Sequence, residues 1–109
     1  MRRSEILTRA RELIATPDKW CQGAVGFTFD GIEIEPCDLD FGAEAVRLCA
    51  FGAIRAVTRN SYKAQPANRA LARAAGCGYG QEAIDWNNDL TRSHVEVLAA
   101  FDRAIEATK

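Results

Sequence analysis

Cys49 and His94, with an amide or carboxylate drawn from Asn87, Asn88 or Asp89, are the residues whose types could carry nucleophilic chemistry in this chain. A thiol becomes a nucleophile when a base or cation raises its thiolate fraction, and the base needs a third group to hold its tautomer. His94 is the only histidine. A triad of Cys49, His94 and Asn87 would make the chain a cysteine-dependent hydrolase or transferase. Against that, Cys49 is expected in the middle of a helix, away from the N-terminal field that activates thiols. The plainer reading makes Cys49, His94, Trp20 and Trp86 structural. His94 then bonds a loop backbone or Asp89 and packs on Leu98, neutral because it starts a helix, while Trp86 plugs the core with its indole N–H on a carbonyl.

A second constellation is acidic. Residues 17 to 45 hold one lysine against seven acids (Asp18, Asp30, Glu33, Glu35, Asp38, Asp40, Glu44), a local charge of −6, whereas residues 46 to 76 hold six bases (Arg47, Arg55, Arg59, Lys63, Arg69, Arg73) and no acid, a local charge of +6. The formal total of −1 conceals this segregation. Either the two blocks alternate on a solvated surface or one of them is a docking face. Glu33, Glu35, Asp38 and Asp40 are the candidate binding residues, and spaced carboxylates of this kind can also imitate a phosphate track and inhibit a nucleic-acid-binding protein. Direct nucleic-acid binding by the basic block is not expected, because much of it falls on a helix that should be buried.

Metal and cofactor chemistry have little to work with. Cys21, Cys37, Cys49 and Cys77 contain no Cys-x-x-Cys pair and have no second histidine to join them, so no metal site is expected. Cys77-Gly78-Tyr79-Gly80 has two alternate glycines but neither the full Gly-x-Gly-x-x-Gly pattern nor a strand before it, and no cofactor is expected.

The elements that must position these residues can be read from periodicity and punctuation. Ser4 caps a first helix to about Ala15, stopped by Pro17. Phe27-Thr28-Phe29, Asp30-Gly31 and Ile32-Glu33-Ile34 read as a β-hairpin with a two-residue turn, Phe29 opposing Ile32 and Phe27 opposing Ile34 on an aromatic face that covers the helices. A central helix is expected from about Ala43 to Thr58, with Cys49, Ala50, Gly52 and Ala53 letting a neighbouring backbone approach closely. Residues 59 to 65 read as a polar connection, Pro66 as the first turn of a third helix ending before Gly76, and Gln81 to Trp86 as a short helix. The last helix runs from about Ser93 to Ala107. Ser93 and Glu96 match a capping box, and His94, Val97, Leu98, Phe101, Ala104 and Ile105 share one stripe at about 100° per residue. The expected fold is a single compact α+β domain spanning residues 1–109, about four main helices packed with one hairpin.

The 109 residues are 48% hydrophobic and 27% charged, an ordinary globular mix for one domain. Arg9, Arg11 and Glu12 interrupt any leader-like apolar run after Arg2 and Arg3, and no stretch approaches the roughly 20 apolar residues of a membrane span. A cytoplasmic protein without membrane contact is expected, its thiols mostly small buried hydrophobes.

Trp20-Cys21-Gln22-Gly23-Ala24, the Asp30-Gly31 turn, Arg47-Leu48-Cys49-Ala50-Phe51-Gly52-Ala53-Ile54, Trp86-Asn87, and Ser93-His94-Val95-Glu96-Val97-Leu98 through Asp102-Arg103-Ala104-Ile105 follow one another in an order that resembles a family of short bacterial and phage proteins known only as a domain of unknown function. The resemblance implies an arrangement and no mechanism. Members of that family usually show Trp-Asn-Asp where this chain has Trp86-Asn87-Asn88, so a scheme needing a carboxylate at position 88 loses support. The leading expectation is a non-enzymatic interaction or regulatory protein that binds a macromolecular partner, a protein rather than nucleic acid, through an exposed charged face.

Overall fold

The computed structural model describes residues 1–35 and 45–109. Five α-helices lie among them: α1 (Arg3–Leu13), α2 (Ala50–Thr58), α3 (Ser61–Ala74), α4 (Gln81–Asn88) and α5 (His94–Thr108). A two-stranded antiparallel sheet joins β1 (Gly26–Thr28) to β2 (Ala45–Leu48), and a 3-10 turn spans Pro17–Lys19. The chain is thus an α+β domain in which α1 packs on α2 and α5, and α3 on α2 and α5. Leu7, Ala10 and Ile14 meet Ala53, Ile54, Ala67, Leu71, Val97, Ala100, Phe101 and Ala104 in one buried cluster. The alanines let the helices approach closely, and Phe101 is the largest wholly buried side chain among the described residues. No helix among the described residues is long and apolar enough to cross a membrane.

The last helix forms where its signals put it. Ser93 accepts from the Glu96 N–H at 3.2 Å and Glu96 accepts from the Ser93 N–H at 3.1 Å, which satisfies two helix-end donors reciprocally.

Apart from the start of α1, where Arg2 is the N-cap without a side-chain bond and Ser4 lies inside the helix, three expectations are corrected. The central helix does not begin near Ala43: residues 45 to 48 pair with β1 and the helix starts at Ala50, so Cys49 is an N-cap instead of a mid-helix residue. A short strand running straight into a short helix produces one continuous apolar run, and periodicity cannot separate the two. Asn60 accepts from the Tyr62 and Lys63 N–H groups at 2.8 and 3.1 Å, so α3 starts at Ser61 and carries Pro66 inside it. The helix tolerates the N–H that Pro66 lacks because the cap and the burial of Ala64, Ala67 and Leu71 offset it.

The third correction concerns the hairpin. Gly31 N–H bonds the Thr28 carbonyl at 3.0 Å, Thr28 N–H bonds Ile32 O at 3.0 Å, and Phe27 bridges Glu33. A two-residue turn with an Asp-Gly sequence needs positive φ at both residues; here Gly31 has φ 83° while Asp30 stays negative, so the loop takes three residues, Phe29 to Gly31. That slips the register by one and splits the expected face, leaving its two tip residues outward. Phe29 is 86% exposed and Ile32 60% exposed, while Ile34 turns into the core.

Candidate functional site

Asn87, in the last turn of α4, is the one buried polar residue among the described core, 1% exposed. Its Oδ1 accepts from the Trp20 indole N–H at 3.0 Å and from the Ala50 N–H at 3.1 Å. Its Nδ2 donates to the Cys21 carbonyl at 3.2 Å and to Asn88 Oδ1 at 3.0 Å. Two acceptor sites and two donors are the whole capacity of a side-chain amide, and all four are used here. Gln22 reinforces the joint by donating to the Asn87 and Asp89 carbonyls at 2.8 and 2.7 Å, and Gly23 N–H donates to Asn88 Oδ1 at 2.9 Å. Position 88 therefore serves as an acceptor of two N–H groups, a task that asparagine or aspartate performs alike.

Cys49 sits beside this hub. Its Sγ accepts from the Gly52 N–H at 3.1 Å, so the first turn of α2 is capped locally by Cys49 and from a distance by Asn87. Burial pushes the thiol pKa up and outweighs the opposing hydrogen bonds from the Gly52 and Phe51 N–H groups. Burial likewise pushes Cys21 up to about 12, with Cys49 nearby adding to the rise. Cys21, Cys49 and Cys77 carry free thiols.

His94 is engaged elsewhere. Its Nε2 lies 2.6 Å from the Ile14 carbonyl oxygen, an atom that can only accept, so the proton is on Nε2. The ring is tilted 43° against Trp20 at 5.8 Å between centroids. No hydrogen bond links His94 to Cys49 or Asn87. The cleft of about 420 Å³ beside Cys49 and Asn87 is lined by Val25, Ile34, Phe51 and Tyr79 among others, and His94 is not part of its wall. The Trp86 ring is only half-buried and is covered by the Arg92 guanidinium at 4.7 Å. It is Trp20, and not Trp86, whose indole finds the buried oxygen.

Two surface features remain. The first is the hairpin tip, where exposed Phe29 and Ile32 flank Asp30 and are followed by exposed Glu33 and Glu35. Asp38 and Asp40 lie outside the described residues. The second is a cleft of about 440 Å³ between the start of α1, the end of α3 and the end of α5. It is lined by Arg3, Arg69, Arg73 and Arg103, with Pro66, Ala70, Ala74 and Ala107 and no carboxylate among the described residues around it. Two helix C-termini end there, which draws cations, and Arg103 Nε donates to the Ala74 carbonyl at 3.1 Å. The basic block is thus not buried as expected: Arg47, Arg59, Lys63, Arg69 and Arg73 are all exposed, because α3 turns its alanines and Leu71 inward and its cations out.

The profile of a family of unknown function matches residues 1–107. The chain belongs to that family, DUF6197. No curated protein and no solved structure shows a significant match to it. What sequence reasoning missed in this DUF6197 chain is consistent: the bonding of Asn87, the role of Gln22 and the four-arginine cleft all depend on residues far apart in sequence. Trp20-Cys21-Gln22-Gly23-Ala24 and Trp86-Asn87 both carry the family resemblance, but nothing in either segment indicates that they meet.

Proposed function

We propose that this DUF6197 chain is a non-enzymatic interaction protein that docks a macromolecular partner, a protein, with the tip of its hairpin. The observation that carries the reading is the outward pair Phe29 and Ile32, bracketed by Asp30, Glu33 and Glu35. An aromatic and an aliphatic side chain exposed three positions apart at one turn have about 1.5–3 kcal/mol each to gain by burial, and the carboxylates of the same tip select a socket edged with cations. Asp38 and Asp40 extend the acidic stretch in sequence, so Glu33, Glu35, Asp38 and Asp40 steer the approach while Phe29 and Ile32 anchor it. The free thiols of Cys21, Cys49 and Cys77 fit a reducing compartment, the cytoplasm of a bacterium or of a bacterium that carries a phage.

The test is retention from a cytoplasmic extract at physiological salt by immobilised wild type and by the double variant Phe29→Ser/Ile32→Ser, whose fold is checked by circular dichroism. The expected outcome is a partner that wild type holds and the double variant loses. An unchanged retained set, or small-molecule turnover with no partner retained, refutes the reading.

A further inference from the structure

The hairpin tip calls for a socket with an apolar floor and a cationic rim, and this chain carries such a socket itself. Resting on the docking role of the tip, we propose that the partner is a second copy of this chain, whose cleft between α1, α3 and α5 receives Phe29 and Ile32.

Three observations converge. Pro66, Ala70, Ala74 and Ala107 supply small apolar surface in the cleft, and Arg3, Arg69, Arg73 and Arg103 surround it. At about 440 Å³ it falls in the range of roughly 300–1,000 Å³ typical of binding clefts, enough for the tips of two side chains. The charges match: four guanidiniums, with no carboxylate among the described lining residues, suit a tip carrying Asp30, Glu33 and Glu35. Arginine forks suit carboxylates better than ammonium groups would, because each guanidinium can meet a carboxylate with two parallel N–H bonds. The third observation is that the ion pairs seen between described residues, Arg11 with Asp102, Arg92 with Asp89 and Glu96, and Lys109 with Glu106, engage none of the four arginines of the cleft.

Arg3, Arg69 and Arg73 form none of those pairs, and Arg103 spends one donor on Ala74. Arg69 lies 5.4 Å over the Tyr79 ring, which holds its guanidinium in place with the face of the ring beneath it. Four like charges around one concavity repel one another until an anionic group enters, so the same cluster that costs the free chain stability favours an acidic occupant. The contact is between different patches on the two copies. Reciprocal insertion closes a two-fold dimer, whereas one-way insertion extends a chain of copies.

The experiment is sedimentation equilibrium of the full chain over a range of concentration and salt. Wild type is expected to self-associate and to dissociate as salt rises, since a Debye length near 10 Å at 0.1 M screens the rim charges. Phe29→Ser/Ile32→Ser and Arg69→Glu/Arg73→Glu should each weaken association by at least about 30-fold, since a single hot-spot side chain is worth that much and each variant alters two. Mixed together, the two variants should associate one to one, because one keeps its cleft and the other its tip. A wild type that stays monomeric at low salt overturns self-docking. If such a monomer still loses an extract protein when Phe29 and Ile32 are replaced, the tip reading survives without it. If nothing is lost, both fall. Binding of duplex DNA by the cleft, undisturbed by the tip variant and competing with association, assigns the cleft to a polyanion and overturns the proposal as well.

Discussion

Truncating Asn87 tests whether the buried amide holds the joint between the 20–23 segment, α2 and α4. Asn87→Ala removes the partner of the Trp20 indole N–H, of the Ala50 N–H and of the Cys21 carbonyl, while Asn88 Oδ1 keeps its bond from Gly23. Each buried group left without a partner costs about 1–3 kcal/mol. A water entering the vacated space recovers part of that, because the site is polar on several sides. The expected loss is therefore about 3–4 kcal/mol, out of roughly 5–15 kcal/mol for a domain of this kind. At about 4–8 °C per kcal/mol, the midpoint of thermal unfolding should fall by roughly 12–32 °C. Asn87→Asp should also destabilise, because a carboxylate turns one donor position into an acceptor facing the Cys21 carbonyl or Asn88 Oδ1. Its penalty should grow from acid to neutral pH, as the buried acid is driven to ionise. Urea unfolding followed by tryptophan fluorescence gives the free energies, and amide exchange at Ala50 reports the local loss. A cost below about 1 kcal/mol for Asn87→Ala would refute the hub, since the bonds would then be replaceable by solvent.

Other consequences can be measured directly. Because burial raises the Cys49 pKa, alkylation of the native chain should label half-exposed Cys77 before Cys49 and Cys21, and His94→Ala should leave the Cys49 rate unchanged; fast labelling that depends on His94 would restore the catalytic reading. In Gly52→Ala, the added Cβ would stand 2.1 Å from the Val25 carbonyl oxygen, so the sheet must move off α2 and thermal unfolding should show a loss of at least about 1–3 kcal/mol; an unchanged midpoint would mean that the close approach is not required. Ser93→Ala should cost about 1 kcal/mol in urea unfolding through the lost cap, and a variant as stable as wild type would deny the box a role. The Ser93 backbone N–H, together with the Arg92 guanidinium, holds the Glu96 carboxyl below its ordinary pKa. That stabilisation is present above the unfolded pKa and is lost as pH falls through the lower folded one, so Glu96→Gln should be less stable than wild type near neutral pH and converge with it in acid; a constant difference would refute the linkage.

How much was legible follows the range of the interaction. The start, capping and inward stripe of α5 were readable because Ser93, Glu96, Val97 and Phe101 act on one another within a turn or two. The position of the Asp30-Gly31 turn was readable too, but its register was not. A single dihedral, negative φ at Asp30, adds one residue to the loop, which takes Phe29 out of the strand and into the turn. Cys49 illustrates a different failure. Whether residues 45 to 48 become strand or helix depends on β1 lying alongside to accept them, which no local pattern in Ala45-Val46-Arg47-Leu48 reveals.

By itself, then, the sequence determined that the chain makes an α+β domain, where most helices end, and that acid and base are gathered in separate stretches. Those properties arise from hydrogen bonds and side-chain periods confined to a few neighbouring residues. Tertiary structure alone decided that Asn87 is saturated by partners from the distant 20–21 segment and α2 as well as by adjacent Asn88, that His94 turns to Ile14 instead of Cys49, and that Phe29 and Ile32 point outward. It also decided that Arg3, Arg69, Arg73 and Arg103, up to 100 positions apart, share one cleft. The physical reason is that such meetings depend on how whole elements pack, and packing is settled by the buried surface of the entire domain instead of by the residues that happen to meet.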